Sequence, residues 1–168
     1  KRHSPLRIAF SGRLITIKGV ASLPLLAKAL EQRGITAVID VIGAGPEEKL
    51  LRHNDRGLRM VGFLDFATAW KDYVRSSVDL MFLPHLQGDS SSTYFESMAM
   101  GAPVLGFHNV SLDPMLADGG GGWAVPRANV DAAAELLASL SARPELIEKE
   151  SHRAISYMAR NTAEAIFD

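Results

Sequence analysis

Cysteine is missing from all 168 residues of the chain. That excludes a disulfide framework and a thiolate metal site, and nothing here depends on an oxidising compartment. A cytoplasmic setting is therefore expected, with peripheral membrane attachment left open for a longer protein. An excess of one charge is missing too: 18 Lys and Arg stand against 19 Asp and Glu, for a formal net charge of -1. No general field is available to hold nucleic acid or an anionic membrane, so any phosphate binding must be local. No apolar run approaches the roughly 18 to 20 residues of a membrane span, and Lys1-Arg2-His3-Ser4-Pro5 lacks the apolar segment of a signal peptide. The chain also has no Gly-x-Ser-x-Gly elbow and no His-Glu-x-x-His, so hydrolase machinery is not visible. Its five histidines, at 3, 53, 85, 108 and 152, show no metal-ligand spacing, and neither a metal nor another cofactor is expected. His85 and His108 both fall just past strands, where an ordinary loop histidine and a ligand contact are the two readings. There is no initiator Met, and the chain stops at Ile166-Phe167-Asp168 within a helical pattern. Both features lead us to expect a piece of a longer protein.

What is present is apolar and periodic. Hydrophobic residues make up 47% of the chain, enough for one well-buried domain over residues 1–168. Leu6–Phe10 is a short apolar run closed by Ser11-Gly12, the pattern of a buried parallel strand, and Val20–Arg33 follows with Leu23, Leu26, Ala27 and Leu30 at helical spacing. The alternation continues. Strands are predicted at Thr36–Ile42, Leu58–Phe63, Asp79–Leu83, Pro103–Phe107 and Trp123–Pro126, and helices at Pro46–His53, Phe66–Ser76, Thr93–Met100, Val130–Leu140 and Pro144–Arg160. Strands apolar on both sides, alternating with helices, predict a doubly wound α/β fold. This is a Rossmann-like parallel sheet of about six strands with helices on both faces. Ligands of such sheets bind at the carboxyl ends of the strands, so the loops after Phe10, Ile42, Phe63 and Leu83 are the places to look.

Two of those loops carry suitable residues. Ser11-Gly12-Arg13-Leu14-Ile15-Thr16-Ile17-Lys18-Gly19 sets two cations between a strand end and a helix start. Free backbone N–H groups and the helix dipole favour a phosphate there, with Arg as a planar fork and Lys as a point charge; solvated loop cations are the competing reading. Gly88-Asp89-Ser90-Ser91-Ser92-Thr93-Tyr94-Phe95-Glu96 runs from a strand end through hydroxyl residues into a helix, again suited to a diphosphate. Glu96, beside Phe95, Met98 and Ala99, needs hydrogen-bond donors, and two ribose hydroxyls would supply a bidentate set. Thr93-x-x-Glu96 also fits a capping box, which leaves the role of Glu96 open on pattern alone. Gly43-Ala44-Gly45 lacks a third glycine three residues on and is a weak dinucleotide signal. Gly119–Gly122 contains no cation and reads as a turn.

Five segments in order resemble the C-terminal domain of the glycosyltransferase group 1 proteins, the retaining family 4 of GT-B architecture. They are Phe10-Ser11-Gly12-Arg13 with Lys18-Gly19, Val41-Ile42-Gly43-Ala44-Gly45-Pro46, Val61-Gly62-Phe63-Leu64, Asp79-Leu80-Met81-Phe82-Leu83-Pro84, and Phe95-Glu96-Ser97-Met98-Ala99-Met100-Gly101-Ala102-Pro103-Val104. The resemblance implies a single nucleotide-sugar-binding domain whose N-terminal acceptor domain is not in this chain. Its donor would be a UDP-, GDP- or ADP-sugar, transferred with retention. It places the donor diphosphate on Arg13 and Lys18, the ribose on Glu96, phosphate contacts on the N–H groups of Ser90, Ser91 and Ser92, and the base on the loop of Phe63 and Leu64, with Gly12, Asp89 and Thr93 also expected among the substrate-binding residues.

The resemblance has two departures. The family commonly carries a second glutamate eight positions before the ribose-binding one, where this chain has Gly88, with Asp89 adjacent as a substitute after a one-residue shift. Leu112-Asp113-Pro114 stands where the family often has a glycine pair and a glutamate. A non-catalytic binding module and a sugar-nucleotide epimerase of the same shape are the alternatives, and the piece by itself is expected to be inactive.

Overall fold

A computed structural model of the chain describes residues 3–88 and 91–161. Six strands, β1 (Leu6–Ser11), β2 (Ala37–Ile42), β3 (Leu58–Gly62), β4 (Leu80–Leu83), β5 (Val104–Phe107) and β6 (Gly122–Val125), form one sheet in the order β3-β2-β1-β4-β5-β6. Every pairing is parallel. The helices are α1 (Ser22–Gln32), α2 (Glu48–His53), α3 (Lys71–Ser77), α4 (Ser92–Ala99), α5 (Leu112–Ala117), α6 (Val130–Ala142) and α7 (Pro144–Arg160). A 3-10 turn at Thr16–Lys18 precedes α1, and a π-helical turn at Phe66–Trp70 leads into α3.

The doubly wound expectation holds, and strand alternation explains the layers. Register aligns Ile8 and Phe10 with Ile39, Val41, Leu80, Phe82, Leu105 and Phe107 on one face, all fully or almost fully buried, beneath α1 and α6. On the other face Trp70 Nε1 donates to Ser11 Oγ at 2.8 Å and Tyr73 Oη to Asp40 Oδ2 at 2.7 Å. Leu112 of α5 packs at Gly106, and Glu150 of α7 accepts the Gly122 N–H at 3.0 Å. At roughly 2 kcal/mol for each fully buried aliphatic or aromatic side chain, this two-sided core is the main favourable term.

Two local expectations are corrected. The segment at Leu112-Asp113-Pro114, left without an element in the sequence reading, is α5. Asn109 nucleates it, because its Oδ1 accepts the N–H groups of Ser111 at 2.9 Å and Leu112 at 2.8 Å. The strands are also not apolar throughout. Asp40 is fully buried in β2 and receives Arg59 Nε at 2.7 Å, Arg59 Nη2 at 2.8 Å and Arg7 Nη2 at 3.2 Å. Its carboxylate raises the Arg59 guanidinium above its ordinary range, while burial and the Asp40 hydrogen bond raise the Tyr73 phenol. A buried carboxylate is tolerated here because its lone pairs are filled.

Candidate functional site

Strand order decides where a ligand can sit. The chain winds outward from β1 to β2 and β3, then returns to place β4 on the other side of β1, so the loops after β1 and β4 lie side by side at the carboxyl end of the sheet, where ligands of such folds bind. These are the loops singled out above.

The loop after β1 is tied down on both sides. Leu14 is fully buried; its N–H donates to Ala44 O and its carbonyl accepts from Glu47 N–H, both at 3.0 Å. The Thr16 hydroxyl donates to the Glu47 carboxylate. Gly43 touches the loop so closely that a Cβ there would lie 1.9 Å from Gly12 O. On the β4 side, Leu86 N–H donates to Ile17 O at 2.9 Å. Gly19, at φ 71°, presses its α-carbon against Pro84, where a Cβ would meet the carbonyl oxygen at 1.8 Å. Glycine is required there on both counts. Arg13 is exposed and Lys18 half-buried on this clamped loop.

The segment after β4 leads to α4. Ser91 is its N-cap by backbone, yet its side chain makes no capping hydrogen bond, so the free N–H groups of the first turn are not satisfied that way. Tyr94 N–H donates to Ser91 O at 3.2 Å. The capping box is not formed: Thr93 lies inside the helix rather than before it. Ser92 is exposed, and Thr93 and Glu96 are half-buried. Asp89 and Ser90 lie outside the described residues. The structure therefore brings Arg13, Lys18, Ser91, Ser92 and Thr93 to one edge of the sheet, with Glu96 one turn further along α4.

Gly12, Phe63 and Leu64 are brought together as well. With Arg13, Gly43 and Ala44 they line a cavity of ≈ 290 Å³ across the loops after β1, β2 and β3. The Trp70–Ser11 hydrogen bond closes its floor, and Phe63 stands 75% exposed at its rim. Asp65 caps the turn carrying Phe66 and Trp70, and the Thr68 hydroxyl and N–H that it accepts hold its carboxyl below the usual range. Gly43, Ala44 and Trp70 were missed as site residues; the glycine pair directly after the second strand was the available signal. A larger cavity, ≈ 630 Å³, opens at the opposite edge of the sheet between His3–Leu6 and the α6–α7 corner. Among the described residues its lining gathers no Lys, Arg, Asp or Glu.

His85 and Gly88 belong to the segment after β4. His85 is buried against Tyr94. Gly88 faces Val110, and a Cβ at 88 would come within 2.3 Å of Val110 Cγ2. His108, after β5, pairs with Asp113 at 2.9 Å, and both remain exposed to solvent. Among the described residues no three His, Asp or Glu side chains gather as a metal site, and no helix is long and apolar enough to cross a membrane.

This arrangement has known counterparts. The profile of the family described as glycosyl transferases group 1 matches residues 5–143. The amylovoran biosynthesis glycosyltransferase AmsK of Erwinia amylovora is 28% identical over 151 residues, covering 83% of this chain and 37% of that protein. Among solved structures, TarM of S. aureus, in a complex containing UDP, superposes with a TM-score of 0.81 at 15% identity, over 98% of this chain and 34% of that one. HepE of Anabaena in complex with UDP superposes with a TM-score of 0.78 at 15% identity, over 92% of this chain and 44% of that one. The chain thus spans well under half the length of each of these relatives.

Proposed function

This chain belongs to the group 1 glycosyl transferases, and we propose that it binds the nucleoside diphosphate sugar donor for retaining transfer of a hexosyl group to an acceptor held by a separate N-terminal domain. The observation that carries the proposal is the clamp between the loop after β1 and the loop after β4, through Ile17–Leu86 and Gly19–Pro84. It holds the Arg13 and Lys18 backbone beside the segment leading into α4.

Departure of the nucleoside diphosphate leaves negative charge. In this reading Arg13 and Lys18 supply positive charge already in place, and the N–H groups at the start of α4 supply oriented dipoles. Groups fixed before the reaction need no reorganisation during it. Glu96 accepts the ribose hydroxyls, with Ser91, Ser92 and Thr93 nearest the phosphates. The cavity at Gly12, Phe63 and Leu64 takes the base, contacting it largely through backbone. No side-chain nucleophile is needed when the leaving phosphate helps to deprotonate the acceptor, and no metal is invoked because the two cations do its electrostatic work. Such a protein would work in the cytoplasm on carbohydrate biosynthesis.

Calorimetric titration of the chain with UDP, GDP and ADP tests the reading. Binding of at least one at millimolar concentration or below is expected, without sugar transfer by these residues alone. Absence of binding by all three, with circular dichroism confirming a folded chain, overturns it. A second reading, a binding module without catalysis, is favoured by one observation: position 88 carries no side chain, and a Cβ there would come within 2.3 Å of Val110 Cγ2. Restored transfer by the full-length protein, lost on Arg13→Ala, would exclude that second reading.

A further inference from the structure

We infer that His85 is a positioning residue for the first turn of α4, acting through the ring of Tyr94; its functional consequence rests on the donor-binding reading above. His85 follows Pro84 just past the carboxyl end of β4. Its ring is 1% exposed and lies 5.1 Å, centroid to centroid, from that of Tyr94, with 34° between their planes. Tyr94, equally buried, belongs to the first turn of α4. Asn109 Nδ2 donates to the Tyr94 hydroxyl at 3.1 Å, and the other end of the same amide nucleates α5.

A continuous path results. The loop with Arg13 and Lys18 is pinned to residues 84–86, His85 packs on Tyr94, and Tyr94 is held by the loop after β5. The reason such support is needed lies in Ser91. A helix start is normally steadied by a side chain that bonds its free N–H groups, and at α4 the N-cap side chain makes no such bond. Leaving those groups available to an anion removes the usual local anchor. An anchor from outside the helix replaces it, and a buried ring against the first turn is placed to do so. Burial alone does not call for histidine, since Leu83 and Leu86 on either side are aliphatic. A planar ring packs against a phenol in a way an aliphatic side chain does not.

The experiment compares the wild-type chain with His85→Leu, which keeps bulk without a ring, and His85→Phe, which keeps the ring. Tyr94→Leu removes the partner ring as a second route should H85L fail to fold. Two readouts are taken: affinity for UDP, or whichever of UDP, GDP and ADP binds tightest, against that for its bare nucleoside, and hydrogen exchange across residues 91–100. H85L is expected to weaken the nucleoside diphosphate roughly tenfold, as couplings through packed networks of this kind do. Nucleoside affinity should stay unchanged, faster exchange should be confined to 91–100, and H85F should restore both properties. Equal loss of diphosphate and nucleoside, unchanged exchange, or H85F behaving like H85L overturns the inference. If the wild-type chain binds no nucleotide, the donor reading fails instead. Exchange in H85L then decides the positioning role: acceleration confined to 91–100 retains it and no change refutes it.

Discussion

Gly19→Ala isolates the contact that joins the loops after β1 and β4. At φ 71° an L-residue costs about 1 to 2 kcal/mol in backbone strain. The added Cβ would lie 1.8 Å from the Pro84 carbonyl oxygen, against the 3.0 Å or more of real Cβ contacts, so the two loops must part by about 1.2 Å. The obstacle is backbone and has no rotamer to escape into. Parting weakens the neighbouring Leu86 N–H to Ile17 O bond, whose loss costs about 1 to 3 kcal/mol if either group stays buried. Together these effects amount to about 2 to 5 kcal/mol, or a Tm lower by about 4 to 20 °C for a chain of this size. Gly34→Ala is the control. Its φ is 69°, nearly the same, with nothing within 4 Å of a Cβ, so only the strain of about 1 to 2 kcal/mol applies. Thermal unfolding and urea titration of the two variants, followed by nucleotide calorimetry of each, separate strain from contact. If the two variants melt within about 2 °C of one another, or if G19A binds nucleotide as tightly as wild type, the clamp between β1 and β4 does not matter as argued.

Four more outcomes are expected. Arg13→Ala should weaken a nucleoside diphosphate by about 10- to 100-fold, the value of one charge-assisted hydrogen-bonding group, and weaken the nucleoside far less; Glu96→Ala should instead remove the preference for a ribonucleotide over its 2′,3′-dideoxy counterpart, both read by calorimetry. Asp40→Ala strands Arg7, Arg59 and Tyr73 and should cost about 2 to 4 kcal/mol in urea unfolding, below the full range for broken buried pairs because Arg59 is half exposed. Tyr73 and Tyr157 both have raised pKa values, chiefly through burial. The unfolded chain therefore releases these protons first, so their stabilising effect is complete below the ordinary tyrosine value near 10 and is lost as pH climbs through the folded values. Tyr73→Phe and Tyr157→Phe should each flatten the alkaline fall of the urea midpoint.

How much of this was legible in the sequence depends on how local the cause is. The strands at β1, β4 and β5 announce themselves because they are buried on both faces, and an unbroken apolar run between Gly or Pro signals has few other readings. Helix α5 did not, since its six residues include Pro114 and the signal that starts it is Asn109, three positions upstream. A short helix with a remote cap has almost no periodicity to detect. Asp40 was illegible for a different reason. Its partners come from positions 7, 59 and 73, so nothing adjacent in the chain explains a carboxylate inside a strand.

The site lies between these extremes, because each half was readable and their meeting was not. Arg13 and Lys18 leave β1, and Ser91 to Glu96 follow β4, with two complete strand–helix units between them. They become neighbours because the chain reverses direction after β3 and inserts β4 directly beside β1. Had β4 extended the sheet beyond β3, the same residues would stand three strand spacings apart, roughly 14 Å, too far for one pyrophosphate to bridge. The small contacts at Gly19 and Leu86 hold these two anion-favouring loops together, and on the proposed reading substitutions there should weaken nucleotide binding.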